Sequence, residues 1–226
     1  MDRLDLSIEP GEFVALLGAN GSGKTTLLRA LLKLIPTAHG EISVKAKKIA
    51  YVPQRLPAVS GVPISVYESV ATGLLDGKLR IFSTKGQKAT VNLALKKVGI
   101  FELINKSLAK LSGGQLRRTM IAKALVADPD LILLDEPTAG LDHSSQILLF
   151  NTLKELKDSG VTIILVTHEI GSLALLVDKV VVLDRKAKNN ISYFGKLPVP
   201  VDVDPESHHS DELITAIDES VLGLNT

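Results

Sequence analysis

The feature that most constrains this chain is a run of apolar residues feeding a glycine-rich turn into a helix. Residues 13–17 read Phe-Val-Ala-Leu-Leu, the content of a strand buried on both faces, and residues 26–34 read as a helix. Between them lies Gly18-Ala19-Asn20-Gly21-Ser22-Gly23-Lys24-Thr25, which fits the pattern G-x-x-x-x-G-K-[ST]. A strand, a glycine turn and a helix N-terminus in that order point several backbone N–H groups at one spot, where the helix dipole adds positive potential. The glycines permit backbone angles that a side chain forbids, so the main chain can touch phosphate oxygens. At this spacing Lys24 reaches β- and γ-phosphates and the Thr25 hydroxyl can ligate Mg²⁺.

The rest of the chain supports an α/β fold. Its 226 residues suffice for one well-buried α/β domain with an insertion. Apolar residues make up 45% of it, yet they come in short runs at 131–134, 161–166 and 180–183, the pattern of strands in a parallel sheet. No run approaches the ~18 residues of a membrane helix. The N-terminal ten residues alternate charged and apolar types and do not read as a signal peptide. A net charge of +1 offers no nucleic-acid footprint, and the absence of cysteine excludes disulfides and thiolate metal sites.

Leu4, Leu6 and Ile8 alternate with polar residues, so residues 4–8 read as a half-buried strand before the Pro10-Gly11 turn. Residues 41–52 read as two short strands around a basic turn. Residues 53–111 are broken by prolines and glycines, and their periodic pieces, 65–74 and 88–98, are helical. From Gln115 onward Leu116, Met120, Ile121, Ala124 and Leu125 mark another helix. A strand, a helix over 144–157, a strand, a helix over 170–176 and a strand follow. Strands alternating with helices imply right-handed crossovers and a mainly parallel sheet. The tail after Pro198, with His208-His209 among acidic residues, reads as a solvated extension with a short helix near 212–222.

Two further segments carry chemistry. The strand at 131–134 ends in Asp135-Glu136, where an open parallel sheet binds its ligands. Asp135 is placed to hold Mg²⁺ and Glu136 to polarise an attacking water. The second is Leu111-Ser112-Gly113-Gly114-Gln115. Ser112 is a good N-cap, and the two glycines leave the N–H groups of the helix start open as a second anion site. One nucleotide does not need two such sites in one chain, but two chains packed head to tail do.

The ordered set Gly18 to Thr25, Tyr51-Val52-Pro53-Gln54, Leu111 to Gln115, the 131–136 strand end, Ala139-Gly140-Leu141-Asp142 and Thr167-His168 resembles the nucleotide-binding subunits of ATP-binding-cassette transporters over residues 4–197. The resemblance implies a P-loop NTPase core, 1–52 and 115–197, with a mainly parallel sheet. It also implies an inserted helical subdomain at about 53–114, with 198–226 as a C-terminal extension. ATP and Mg²⁺ are the implied ligands. Gly18, Asn20, Gly21, Ser22, Gly23, Lys24, Thr25 and Thr26 would bind the phosphates, and Ser112, Gly113, Gly114, Gln115 and Asp142 would act from the partner copy. Thr25, Gln54 and Asp135 would hold the metal. Lys24, Gln54, Glu136 and His168 would carry catalysis.

The implied partners are a second copy around two ATP molecules, integral membrane permease subunits and, indirectly, a solute-binding protein. The implied location is the inner face of a cell membrane. Val62-Pro63-Ile64-Ser65-Val66 after Arg55, the LILLDEPTAGLD stretch at 131–142 and Ile191-Ser192-Tyr193-Phe194-Gly195 resemble the zinc/manganese importer branch. Another cargo, such as an iron chelate, and a non-transport ATPase of the same family stay open as alternatives. One departure stands out. Family members place an adenine-stacking aromatic ahead of the first strand, and none of the residues before Phe13 is aromatic. The antiparallel N-terminal β part is therefore expected to be truncated, with weakened nucleotide affinity.

Overall fold

The computed structural model describes residues 4–37, 39–55, 64–75, 85–168, 170–187, 189–197 and 199. The expectations for the histidine pair at 208–209 and the helix near 212–222 lie outside those residues. In chain order the elements are β1 (Phe13–Leu17), α1 (Lys24–Leu31), β2 (Ile49–Val52), α2 (Val66–Ala71), α3 (Lys85–Lys97), α4 (Gly113–Val126), β3 (Leu131–Asp135), α5 (His143–Asp158), β4 (Thr162–Val166), β5 (Lys179–Leu183) and β6 (Ile191–Gly195). Two compact units result. One takes the described residues within Met1–Lys45 and Thr162–Thr226, the other those within Ala46–Val161.

In the first unit β1 lies between β4 and β5, parallel to both, and β6 closes the edge antiparallel to β5. All five β1 residues are buried, as expected for a strand paired on both edges and covered on both faces. Burying each large side chain there contributes about 1.5–3 kcal/mol. The start of β1 is tied down locally: Phe13 N–H donates to Asp178 Oδ2 at 2.9 Å and Asp178 N–H returns to Phe13 O at 2.8 Å. Glu12 pairs with Lys179, whose ammonium also sits 5.6 Å from the Phe194 ring centroid. Helix α1 ends three residues before the sequence pattern suggests. Lys33 adopts a left-handed φ of 56°, and Leu34 N–H reaches back to Arg29 O at 2.8 Å, a closing turn that stops propagation.

In the second unit β2 and β3 are parallel, Ile49 facing Leu131 and Val52 facing Leu134. Their register is set at the entry end, where Asp130 Oδ2 accepts the N–H groups of Lys47 and Lys48, each at 2.9 Å. Helix α4 packs on α2, α3 and β2. Its buried residues are Arg117, Thr119, Met120, Ile121, Ala122, Ala124 and Val126, while Leu116 and Leu125 of the expected face are half-buried. Helix α2 starts on a capping box between Ser65 and Glu68 and runs on into a 3₁₀ turn over Thr72–Leu74.

The β1/β4, β1/β5 and β2/β3 ladders are parallel, as the strand–helix alternation predicts, and β5/β6 is antiparallel. Three local expectations fail. Residues 4–8 and 41–46 keep the alternating exposure of half-buried strands but are not strands in the structure. Alternation makes an extended amphipathic segment, whereas a strand also needs a backbone ladder. The expected helix at 170–176 is a 3₁₀ helix over Gly171–Leu175, entered through Gly171 at φ 49°.

Candidate functional site

The first unit presents the phosphate loop. Gly18 leaves β1 with φ 134°, and a Cβ there would sit 2.3 Å from Leu183 O, so only glycine fits. The loop closes on Ser22 N–H donating to Ala19 O at 3.1 Å. Helix α1 begins at Lys24 behind Gly23, which supplies no side-chain cap. Lys24 is buried, and its ammonium donates to Gly18 O at 2.5 Å and Ala19 O at 3.0 Å. The Ser22 hydroxyl is buried without a hydrogen-bond partner. A buried orphan hydroxyl, a lysine curled over the loop and a helix N-terminus with no side-chain cap fit a group rich in acceptor oxygens, such as a polyphosphate. Thr25 is half-buried at the helix start, while Asn20, Gly21 and Thr26 are exposed.

His168 belongs to the same end of this unit. Leu16 of β1 faces Val166 of β4, and Thr167 N–H donates to Leu16 O at 3.4 Å. Gly18 and His168 therefore each stand two residues past paired neighbours on adjacent parallel strands. His168 is exposed there.

The second unit brings Gln54 and Glu136 together by the same logic. Val52 faces Leu134, so the chain leaves both strands at one level. The Gln54 amide Nε2 donates to Glu136 Oε2 at 2.7 Å. Asp135, one residue earlier, is 1% exposed. Glu136 has a left-handed φ of 50°, which takes it out of the strand alternation that Asp135 still follows. Arg117 supports this corner. Its Nη1 donates to Glu136 O at 2.7 Å and its Nη2 to Gln54 O at 2.9 Å. Burial pushes the guanidinium pKa below its ordinary value, and the carboxylates of Glu136 and Asp135 oppose that shift.

The Ser112 loop lies along the same helix. Ser112 Oγ accepts Gln115 N–H at 3.3 Å, and Gln115 Oε1 accepts Ser112 N–H at 3.2 Å, a reciprocal capping box. The Gln115 side chain is thus engaged in the cap, and one of the N–H groups expected to lie open is taken. Ser112 and Gly113 are exposed. Gly114 packs closely, since a Cβ there would approach Gly140 O to 3.2 Å, so the 112–115 and 140–142 loops are neighbours. Asp142 caps α5, its Oδ1 accepting Ser145 N–H at 2.8 Å and the Ser144 hydroxyl at 2.9 Å. Those hydrogen bonds, led by the ones from Ser145, hold its pKa down at about 2.

Sequence reasoning missed Arg117 and Asp130. Arg117 carries a readable signal, because a basic residue stands in register with the Met120–Ile121–Ala124 stripe, where solvent is excluded.

A glycine-rich loop of the pattern G-x-x-x-x-G-K-[ST] between a strand and a helix defines a P-loop nucleoside triphosphatase. The ABC transporter family pattern matches residues 1–139. The chain is 36% identical over 187 residues to the zinc import ATP-binding protein ZnuC of Cereibacter sphaeroides, covering 82% of this chain and 73% of that protein. It is 35% identical over 195 residues to the manganese transport system ATP-binding protein MntB of Listeria monocytogenes, covering 82% and 81%. Among solved structures it resembles the dimeric structure of a bacterial ABC transporter cassette, with TM-score 0.75, 28% identity and coverage of 87% and 90%. The chain belongs to the ABC transporter family, as an ATP-binding and ATP-hydrolysing transport subunit. Among the described residues no helix is long and apolar enough to cross a membrane.

Proposed function

We propose that the chain hydrolyses ATP as one of two identical copies and thereby energises import of a divalent metal ion, zinc or manganese, through membrane permease subunits fed by a solute-binding protein. It would work on the cytoplasmic face of the membrane. The observation that carries the catalytic part is the Gln54–Glu136 hydrogen bond at the ends of β2 and β3. In this reading the carboxylate held by Gln54 activates a water. Glu136 then draws a proton from that water as its oxygen attacks the γ-phosphorus and the bond to the ADP oxygen breaks. Lys24 and the loop N–H groups neutralise phosphate charge, and His168 orients the γ-phosphate. Thr25, Asp135 and Gln54 are the residues that would hold Mg²⁺, which supplies further charge neutralisation on the phosphates when bound.

The exposed Ser112–Gly113 helix start and the neighbouring Asp142 support the two-copy arrangement. The exposed start of a helix as long as α4, although one N–H is taken by the Ser112 cap, suits a γ-phosphate held by the other copy. The cargo assignment rests on the likeness to zinc and manganese transport subunits. The test is turnover of MgATP by the chain with its permease, and by Glu136→Gln. The variant should bind ATP, form a stable dimer and lose about 100-fold or more in kcat. A monomeric Glu136→Gln protein in saturating MgATP would sink the mechanism. Uptake of zinc or manganese by the reconstituted complex, with no uptake of iron chelates, decides the cargo.

A further inference from the structure

We infer that Arg117 is a positioning residue for hydrolysis, which sets the Gln54–Glu136 pair by clamping the main chain of both residues. The inference rests on the ATPase reading above and adds to it a residue to which that reading gives no role.

The geometry is specific. One guanidinium spans two carbonyls, Glu136 O at 2.7 Å and Gln54 O at 2.9 Å, that belong to different strands and lie 82 positions apart in sequence. Arg117 is 6% exposed and its bond to Glu136 O is buried, so breaking that bond leaves a buried acceptor short of a partner, while the bond to Gln54 O is part-buried. The planar fork of arginine makes both bonds at once, and a lysine ammonium does not reproduce that geometry.

The carbonyls it holds are telling. Glu136 is a non-glycine residue at φ 50°, a backbone state that persists only where its surroundings enforce it. Its carbonyl also accepts Ala139 N–H at a long 3.3 Å. The 2.7 Å bond from Arg117 is the shorter of the two, and it restrains the backbone turn that aims the Glu136 carboxylate. The same guanidinium fixes Gln54, the residue whose amide occupies Glu136 Oε2. Arg117 touches neither reacting side chain through these bonds, so its effect passes through backbone orientation.

Position along α4 gives the clamp a second consequence. Arg117 lies on the helix whose first residues form the Ser112–Gln115 cap. A shift of that helix start therefore moves the clamp with it, and the Gln54–Glu136 pair follows.

The experiment compares Arg117→Lys and Arg117→Met with wild type, each also in the Glu136→Gln background, using the full chain in its transporter complex. Nucleotide affinity, kcat and thermal midpoint are read separately. The expected result is a kcat loss of about 30-fold for Arg117→Met and about fivefold for Arg117→Lys, with ATP affinity within about twofold of wild type. Against Glu136→Gln, Arg117→Met should cost nothing further in single-turnover hydrolysis, because the group it positions is already gone. An equal proportional loss in both backgrounds, or a loss of ATP affinity matching that in kcat, overturns the inference in favour of a prop for α4. Full activity in a folded Arg117→Met variant also overturns it. If Arg117→Met does not fold, Arg117→Lys is read by the same two-background comparison. A wild-type complex without ATPase activity strikes the parent reading and takes this inference with it, whereas active wild type with indifferent variants strikes this inference alone.

Discussion

The Gln54 amide donates to Glu136 Oε2 at 2.7 Å, a contact created by strand register. Asp130 pins the entry of β2 against β3, Val52 then faces Leu134, and two residues later the two side chains meet. The contact is attractive because an amide donor meets a carboxylate. Gln54→Glu keeps the size and puts a second carboxylate in its place. Two carboxylates at that distance cannot both ionise near neutrality, so the pair holds one proton to higher pH. Turnover should fall about 100-fold at pH 7 and the acid limb of its pH profile should move upward by a unit or more, about the size of such couplings. ATP affinity should change little. A pH profile superimposable on that of wild type would mean that Gln54 does not act on the Glu136 carboxylate proposed to activate water.

Two loop glycines differ in why they are glycines, and the difference is measurable. At Gly18 a methyl group would lie 2.3 Å from Leu183 O and 2.9 Å from Ser22 Oγ, on a backbone at φ 134°. At Gly21 the φ is 80° but nothing lies within 4 Å of the added carbon. Gly18→Ala combines steric and conformational strain and should cost about 2–5 kcal/mol, with nucleotide binding lost through distortion of the loop. Gly21→Ala carries the conformational term alone, about 1–2 kcal/mol. Urea midpoints of the two variants check the order, and equal midpoints would contradict the close approach of Leu183 to the loop.

Much of this was legible in the sequence because the informative parts are local. The apolar run at Phe13–Leu17, the glycine octet and the Ser112 cap each announce themselves within a dozen residues, and the structure places β1, α1 and α4 accordingly. What escaped depends on partners distant in sequence. Residues 4–8 have the alternation of a strand, but a ladder is a property of two segments. The register of Arg117 on its helix marks it as an arginine among buried positions, but what it binds stays hidden until the carbonyls of Gln54 and Glu136 are set around it. The backbone turn at Glu136 is likewise invisible, since nothing in Asp-Glu-Pro announces a positive φ.

Asp142 links helix capping to pH. Its ordinary pKa of 3.8 falls to about 2 in the folded chain, chiefly through its hydrogen bonds from Ser145. A carboxylate with a depressed folded-state pKa stabilises the fold above its unfolded value, and that contribution is lost as pH falls through the folded value. Asp130 shifts the same way, through the Lys48 and Lys47 N–H groups. Asp142→Ala should therefore lower the thermal midpoint by a constant amount at neutral pH, and the gap from wild type should close between about pH 4 and pH 2. Asp142→Asn keeps an acceptor for the cap and should hold most of the stability without that pH dependence. A gap that stayed constant into that acid range would mean the charge of Asp142 does not stabilise the cap.

The two-copy mechanism makes a prediction about mixtures. Lys24→Ala disables the phosphate loop of the copy that carries it. Gly113→Asp disables the other contribution. An added Cβ there meets no heavy atom within 4 Å, and an acidic residue in the first turn of α4 suits the helix dipole, so the single copy should fold. Its carboxylate would nonetheless face a γ-phosphate held by the partner and repel it. Each variant alone has two defective pockets. In a mixed dimer both defects fall in one pocket, and the other joins an intact loop to an intact helix start. Equal mixing should therefore restore turnover to about a quarter of wild type, since half the dimers are mixed and each holds one of two pockets. The rise should appear only after the copies exchange, and cross-linking each variant to itself beforehand should abolish it. Inert mixtures under exchange, alongside wild type that turns over as a single copy, would mean that one chain alone completes the site.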